Sequence, residues 1–331
     1  MNENALEVLE QYDLEVTRSW KGRGVYFIEA SQELYMLKEH RGSEEKMEKL
    51  WQLLNSLEKI QFFKTDLPVK NKEGQFLVKD TEGMSYLLKK WRDGRECDPR
   101  SEMDVCRCLE GLGILHDQAR GIWEFESLQQ RARYEGANLA EEMDRRTKEL
   151  KKVQSFIRKK QKKSEFESAY LEVVPKYLNQ AIEIGLKMKD SGYERLRSQA
   201  FEQGKICHGE YMQHNVLFDR SKMILTNFEH AHLNLQCEDV ALILRKIMEK
   251  QGWRLSQGEK FLRAYEVVCP LGEQERMILA LRLSYPEKLW KLANHYYHTN
   301  KAWIPAKNLE KLKLFVNQQK ERERFVQKVI L

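Results

Sequence analysis

The chain has 331 residues, 41% of them apolar and 33% charged, enough to bury one large core or two moderate ones beneath a densely charged surface. No run of 18 apolar residues occurs, which excludes a membrane-spanning helix, and the opening MNENALEVLEQYDLEV lacks the basic start and apolar middle of a secretory signal. The net charge of +6 is local: residues 145–163 hold ten Lys/Arg and one acid, Glu149, so the rest of the chain is net acidic, which argues against a general nucleic-acid-binding fold. The six cysteines (Cys97, Cys106, Cys108, Cys207, Cys237, Cys269) form no Cys-x-x-Cys pair and read as reduced thiols of a cytosolic protein.

In chain order, Val25-Tyr26-Phe27-Ile28 and Leu34-Tyr35-Met36-Leu37 predict a hairpin, with Gly22 and Gly24 just before it. A helix follows, capped by Ser43, with Met47, Leu50, Trp51, Leu54 and Leu57 on one face. Further strands are expected at residues 67–69, 75–79 and 84–91. Beyond Pro99 the pattern is almost wholly helical. Ser101 opens a stripe of Val105, Leu109, Leu112 and Leu115. Residues 124–163 carry sparse apolar positions (Leu139, Met143, Leu150, Val153, Ile157) and predict an exposed, charged helical insertion. Phe166, Tyr170, Val173, Tyr177, Ala181, Ile184 and Met188 form a stronger stripe, with a bend expected at Pro175. Short strands are expected at 205–207, 216–218 and 223–227, then helix from Asp239 to the end. The expected fold is α+β and two-lobed: residues 1–90 form a small sheet lobe, and 91–331 a helical lobe carrying the insertion.

The stretch His208-Gly209-Glu210-Tyr211-Met212-Gln213-His214-Asn215 keeps the spacing of the kinase catalytic loop H-R-D-x-x-x-x-N. In that loop the acid accepts the substrate proton and the asparagine holds a metal, roles that fall here to Glu210 and Asn215. Twelve residues on, Asn227-Phe228-Glu229 stands where a kinase places Asp-Phe-Gly, which makes Asn215, Asn227 and Glu229 the candidate metal ligands. Upstream, Lys38 ends an apolar strand fourteen residues after Gly24, as a phosphate-binding lysine should, and Glu44 or Glu48 could be its ion-pair partner. Gly22, Gly24, Lys38, Glu44 and Glu48 are therefore the candidate nucleotide-binding residues. Singly each signal is weak, a turn, a structural histidine or a surface lysine. Together they stand in the right order and separation.

The His-Gly-acid-x4-Asn-Val-Leu loop resembles that of aminoglycoside and choline phosphotransferases. Asn227-Phe228-Glu229 followed by Asp239-Val240-Ala241-Leu242-Ile243-Leu244-Arg245-Lys246 is similar to the CotS family of spore coat proteins. Tyr86-Leu87-Leu88-Lys89-Lys90-Trp91 with Gly94-Arg95-Glu96 resembles that family's inter-lobe crossing, and Leu112-Gly113-Ile114-Leu115-His116 the helix before its insertion. The resemblance implies a two-lobed protein-kinase-like fold and a structural or assembly role in the coat of bacterial endospores. It implies synthesis in the mother-cell cytoplasm, then deposition in the coat, with other spore coat proteins as partners. ATP and Mg²⁺ are the implied cofactors, held weakly or not at all.

The departures carry that last clause. Glu210 in place of Asp moves the carboxylate by about 1 Å, a misplacement worth on the order of 100-fold in rate. Asn227 in place of Asp removes a negative charge from an oxygen site meant for Mg²⁺. The alternative is an active ATP-dependent kinase acting on a small hydroxylated or amino-bearing molecule. A third reading uses residues 145–163 to bind a polyanion, against the plainer one of a solvated helix face. His208, His214, His230 and His232 with Glu210 lack the ligand spacing of a zinc site. Trp290, His295, Tyr296, Tyr297 and Trp303 could line a pocket or simply pack between helices.

Overall fold

The computed structural model describes residues 3–22, 24–220, 222–298 and 305–331. A 3-10 segment, Glu3–Gln11, leads into strands β1 (Val16–Lys21), β2 (Tyr26–Ala30) and β3 (Glu33–Glu39). Helix α1 (Glu44–Lys59) follows, then β4 (Phe63–Thr65), β5 (Leu77–Lys79), β6 (Ser85–Lys90) and β7 (Arg95–Glu96). The next helices are α2 (Glu102–Gln118), α3 (Leu128–Ala132), α4 (Leu139–Lys159), α5 (Glu165–Asp190) and α6 (Tyr193–Glu202). Four short strands, β8 (Ile206–Cys207), β9 (Val216–Asp219), β10 (Lys222–Leu225) and β11 (His232–Leu233), interrupt them. The chain ends in α7 (Cys237–Gln251), α8 (Leu255–Glu266), α9 (Glu273–Ser284), α10 (Glu287–His298), α11 (Pro305–Asn317) and α12 (Gln319–Phe325). No helix among the described residues is long and apolar enough to cross a membrane.

The first sheet is antiparallel, in the order β1-β2-β3-β6-β5. The expected hairpin is β2–β3. The strand before it, β1, has no sequence signature because every one of its residues is exposed, so no side alternates with a core. Gly22 and Gly24 form the β1–β2 turn: Gly22 donates its N–H to the Val25 carbonyl at 2.9 Å, and Gly24 adopts φ +75°, a left-handed conformation that glycine enters without a Cβ penalty. Ser43 caps α1, its Oγ accepting from the Lys46 N–H at 3.2 Å, and Met47, Leu50, Leu53, Leu54 and Leu57 are buried.

The strand expected at 67–69 does not form. Pro68 has no N–H to donate, so this segment keeps only scattered bonds to β6, among them Val69 N–H to Leu88 O at 2.9 Å. Phe63–Thr65 forms β4 instead. It pairs in parallel with β10 in a second sheet, β4-β10-β9-β7. One buried cluster accordingly runs from α1 and β4 through α2, α7 and α8 to Phe325 and Ile330, joining the residues on either side of Lys90.

The segment at 124–163 is more deeply built in than its composition suggests. Leu139, Met143, Leu150, Val153 and Ile157 of α4 are all buried, packed with α5 and α10, whereas Arg145, Lys148, Lys151, Lys152, Arg158 and Lys159 face solvent. Helix α5 continues through Pro175 without interruption. The aromatic residues of α10 pack between helices: Trp290 donates its indole N–H to Glu149 at 2.5 Å, and Tyr297 donates its hydroxyl to Glu167 at 2.9 Å. Trp303 lies outside the described residues. The six cysteines are all free thiols, four of them buried.

This arrangement separates the two faces of α4. Leu150→Ala should cost about 2–5 kcal/mol by opening a cavity in the helical core. Reversing Lys151, Lys152, Arg158 and Lys159 to glutamate should cost less than that single change. Urea denaturation of the two variants decides; equal losses would mean that the basic face also packs against protein.

Candidate functional site

Strands β3 and β6 pair so that Lys38 lies opposite Leu87 and Met36 opposite Lys89, which puts Lys38 and Lys89 on one face of the sheet. Both ammoniums reach the same oxygen. Glu229 Oε1 is 2.5 Å from Lys38 Nζ and 2.6 Å from Lys89 Nζ. Lys89 is fully buried and also pairs with Asp66, which follows β4 and is likewise fully buried. The other end of the cluster is tied to the loop after β10, because Asp66 accepts the Asn227 backbone N–H at 3.0 Å. Two cations and two carboxylates thus meet beneath the cleft, a formally neutral group in which burial raises the Asp66 pKa against the pull of Lys89.

The protonation behaviour follows from that packing. Burial opposes ionisation of Glu229, but the Lys89 and Lys38 ammoniums outweigh it and hold the carboxyl far below its ordinary range. Burial also works against Lys89, yet Asp66 and Glu229 push its pKa up to about 12. At Lys38 burial and repulsion from Lys89 dominate, and its pKa is lowered.

The loop expected to be catalytic is held from below. Asp239, buried at the start of α7, accepts the backbone N–H groups of His208 at 2.6 Å and Gly209 at 3.0 Å, and its carboxylate lies 3.2 Å from His116 Nε2. His208 Nδ1 accepts the Glu210 N–H at 3.2 Å, so Nε2 carries the proton and donates to the Thr226 carbonyl at 3.0 Å. Burial lowers the His208 pKa and keeps this neutral tautomer. Gly209 sits at φ +82°, and a Cβ there would lie 2.3 Å from the His230 carbonyl oxygen; no arginine could occupy the position without moving that backbone. Asn215 donates its amide to the Glu210 carbonyl at 2.8 Å and accepts from the Asn227 amide at 2.7 Å.

Lys38, Glu210, Asn227 and Glu229 do meet across one cleft of about 480 Å³, with Glu39, His40, Arg41, Gly42, Lys46 and His230. Its formal charge balances: Lys38, Arg41 and Lys46 face Glu39, Glu210 and Glu229. The nucleotide-site expectation needs one correction. Neither Glu44 nor Glu48 pairs with Lys38. Glu44 accepts the Phe76 and Leu77 N–H groups at 2.5 and 3.1 Å, tying α1 to β5, and Glu48 pairs with Lys70 at 3.1 Å. Glu229 reaches Lys38 first. Gly22 and Gly24 are not among the residues lining the cleft.

The donor set does not fit a resident Mg²⁺. A hard dication wants anionic oxygens free to face it. Here the Asn215 oxygen accepts from the Asn227 amide, and Glu229 Oε1 answers two lysines. Asp66, Lys89 and Asp239 escaped the sequence reading as site residues. Lys89 lies in a strand and Asp239 in the first turn of a helix, each among neighbours that read as core, while Asp66 follows a three-residue strand with no pattern of its own.

A profile described as "Spore coat putative kinase YutH" matches residues 6–329. Spore coat protein S of Bacillus subtilis (strain 168) is 23% identical over 166 residues, which is 50% of this chain and about half, 47%, of that relative's length. An aminoglycoside phosphotransferase from Alicyclobacillus acidocaldarius superposes with a TM-score of 0.84 at 18% identity, covering 98% of this chain and 94% of that one. A spectinomycin phosphotransferase with ADP and spectinomycin gives 0.62 at 9% identity, with 98% and 97% covered. An amicoumacin kinase with AMP-PNP and Ca²⁺ gives 0.57 at 15%, with 100% and 95% covered. At these identities the structural likenesses establish the two-lobed kinase-like phosphotransferase fold.

Glu229→Gln should leave fully buried Lys89 with Asp66 alone and partly buried Lys38 without its carboxylate, and destabilise the chain by about 3–5 kcal/mol. Lys38→Met should cost much less, since Glu229 keeps Lys89. The order of the urea midpoints checks this, and the reverse order would remove Glu229 from the centre of the cluster. In the same cleft, burial depresses the His40 imidazole to about 4. The unfolded chain takes up that proton near pH 6.5, so His40 should weaken the fold as pH falls from 6.5 towards 4, with its ring resonances titrating near the lower value by NMR.

Proposed function

We propose, for a chain that belongs to the spore coat kinase-like YutH family, a structural or assembly role in the bacterial endospore coat, built on a kinase scaffold whose phosphotransfer site is degenerate. The observation that carries this reading is the Lys38–Glu229–Lys89 bridge. In an active kinase the phosphate-binding lysine pairs with a helix glutamate, whereas here the partner of Lys38 is Glu229, a residue of the loop expected to ligate the metal, and Lys38 and Lys89 together take up that carboxylate. Phosphoryl transfer rests on positioning and on electrostatic stabilisation of the transferred group. Glu210 is one methylene longer than the expected aspartate, Asn227 brings no charge, and the Glu229 carboxylate is held by two lysines, so the base and both metal-ligand positions of the loop after β10 are weakened at once. The family membership and the likeness to spore coat protein S support the coat context, with synthesis in the mother-cell cytoplasm and other coat proteins as partners.

A second reading, an active small-molecule kinase, is favoured by one observation: Lys38, Glu210 and Asn227 still share a cleft, with Asn215 bonded to Asn227. In that reading ATP and Mg²⁺, or a similar divalent ion, would be the cofactors, as the ligands in the phosphotransferase relatives suggest.

Isothermal titration with MgATP separates the two. The native chain should bind only weakly and turn over neither aminoglycosides nor choline. Asn227→Asp should strengthen the magnesium dependence of any nucleotide binding, whereas Glu210→Asp should leave binding unchanged. A fluorescent fusion in sporulating cells should appear in the mother cell and end in the coat fraction. Micromolar MgATP affinity with steady acceptor phosphorylation by the native chain, or vegetative expression with no coat localisation, would overturn the coat reading.

A further inference from the structure

Away from the cleft, α7, α10, α11 and α12 surround a cavity of about 410 Å³. Lys246, Lys250, Lys288, Lys311 and Arg322 line it with a single carboxylate, Glu249. That carboxylate is already engaged by Arg245 at 3.0 Å and by Lys288 at 3.3 Å. The other four cations make no ion pair among the described residues.

Arg322 is the informative one. It is only 5% exposed. Its guanidinium carbon lies 4.6 Å above the Phe315 ring, and Nη2 donates to Gln319. Its Nε is buried with no hydrogen-bond partner. Arginine is almost never so buried without a carboxylate at ion-pair distance. Glu249 and Glu323 favour the Arg322 charge only through longer-range attraction, and no carboxylate among the described residues pairs with it. Burial lowers the pKa of Arg322, and burial together with repulsion from Arg245 lowers that of Lys246, as expected where cations crowd without enough anions.

We propose that this cavity binds a small polyanion, a compact molecule carrying two or more phosphate or carboxylate groups, which supplies the counter-charge that Arg322 lacks. The planar guanidinium fork suits paired anionic oxygens, and the lysines can neutralise a second group nearer the mouth. Trp253 and Phe315, both buried, give the site an apolar wall. The volume lies in the range of small-molecule sites, roughly 300–1,000 Å³. Arg322 lies deep, where a compact ion reaches it and a folded acidic surface does not. This site is independent of the phosphotransfer cleft and of any role given to it.

The test is isothermal titration of the full chain at low ionic strength with sodium pyrophosphate, and separately with citrate as the polycarboxylate. One saturable site is expected for at least one of them, weakened by added NaCl. The double variant Lys250→Ala/Lys311→Ala changes two exposed side chains and should melt like the native protein while binding about tenfold or more weakly. Lys38→Met in the cleft should leave the affinity unchanged. Three outcomes would overturn the proposal: no saturable binding of either anion, loss of binding in Lys38→Met but not in the double variant, or binding of an oligoglutamate peptide with neither small polyanion bound.

Discussion

The Glu229 carboxylate, shared between Lys38 and Lys89, is the interaction on which the rest of this molecule turns. It joins three separate pieces of chain: β3, β6 and the loop after β10. Asp66 adds a fourth, because it holds Lys89 on one side and the Asn227 backbone on the other. In a buried setting such a group has no slack. Removing Glu229 or Lys89 leaves buried charge short of a partner, and desolvation makes that costly, whereas Glu229 keeps Lys89 when Lys38 is lost. The sheet lobe and the loops below it are therefore locked by charge as well as by the apolar cluster that crosses between them.

The same lock sets which acid meets the lysine of the cleft. A kinase's phosphate-binding lysine pairs with a glutamate of the following helix, whereas Lys38 pairs with Glu229 of the loop after β10. The histidine of the catalytic-type loop has a scaffold role of its own. His208 spans from the Glu210 N–H to the Thr226 carbonyl, and Asp239 gathers the backbone of His208 and Gly209 above His116. These bonds ask nothing of a nucleotide. They explain how a chain can keep the loop's shape while its acids depart from the kinase pattern.

Much of this was legible in the sequence where a residue's local pattern matched its environment. Ser43 and Ser101 cap helices as their positions suggest, and the spacing from His208 to Asn227 does bring Glu210, Asn215 and Asn227 together. The failures have physical causes. Strand β1 is exposed on both faces, so it leaves no alternation to read. Strand β6 is the opposite case, with its four central residues all buried, which hides Lys89 among neighbours that look equally internal. Leu150 and Ile157 appear isolated in a basic run, but a helix needs only one apolar face to join a core. Glu44 and Glu48 were reasonable partners for Lys38 by position on α1. No local rule says that a glutamate 191 residues later in the chain arrives first, since that depends on the parallel β4–β10 pairing and the turn at Asn227.

That turn shows how tightly loss and gain are coupled here. Asn227 adopts φ +65°, a left-handed conformation that asparagine tolerates better than most side chains, and this geometry precedes the short turn that carries Glu229 into the cleft. Its side-chain amide can donate to Asn215, which a carboxylate could not do. An aspartate at 227 would place a negative oxygen against the Asn215 carbonyl oxygen unless a cation stood between them. The neutral pair needs no such cation. Asparagine at 227 and glutamate at 229 therefore act together: the first pairs with Asn215 with no cation between them, and the second supplies Lys38 and Lys89 with an anion from within the chain.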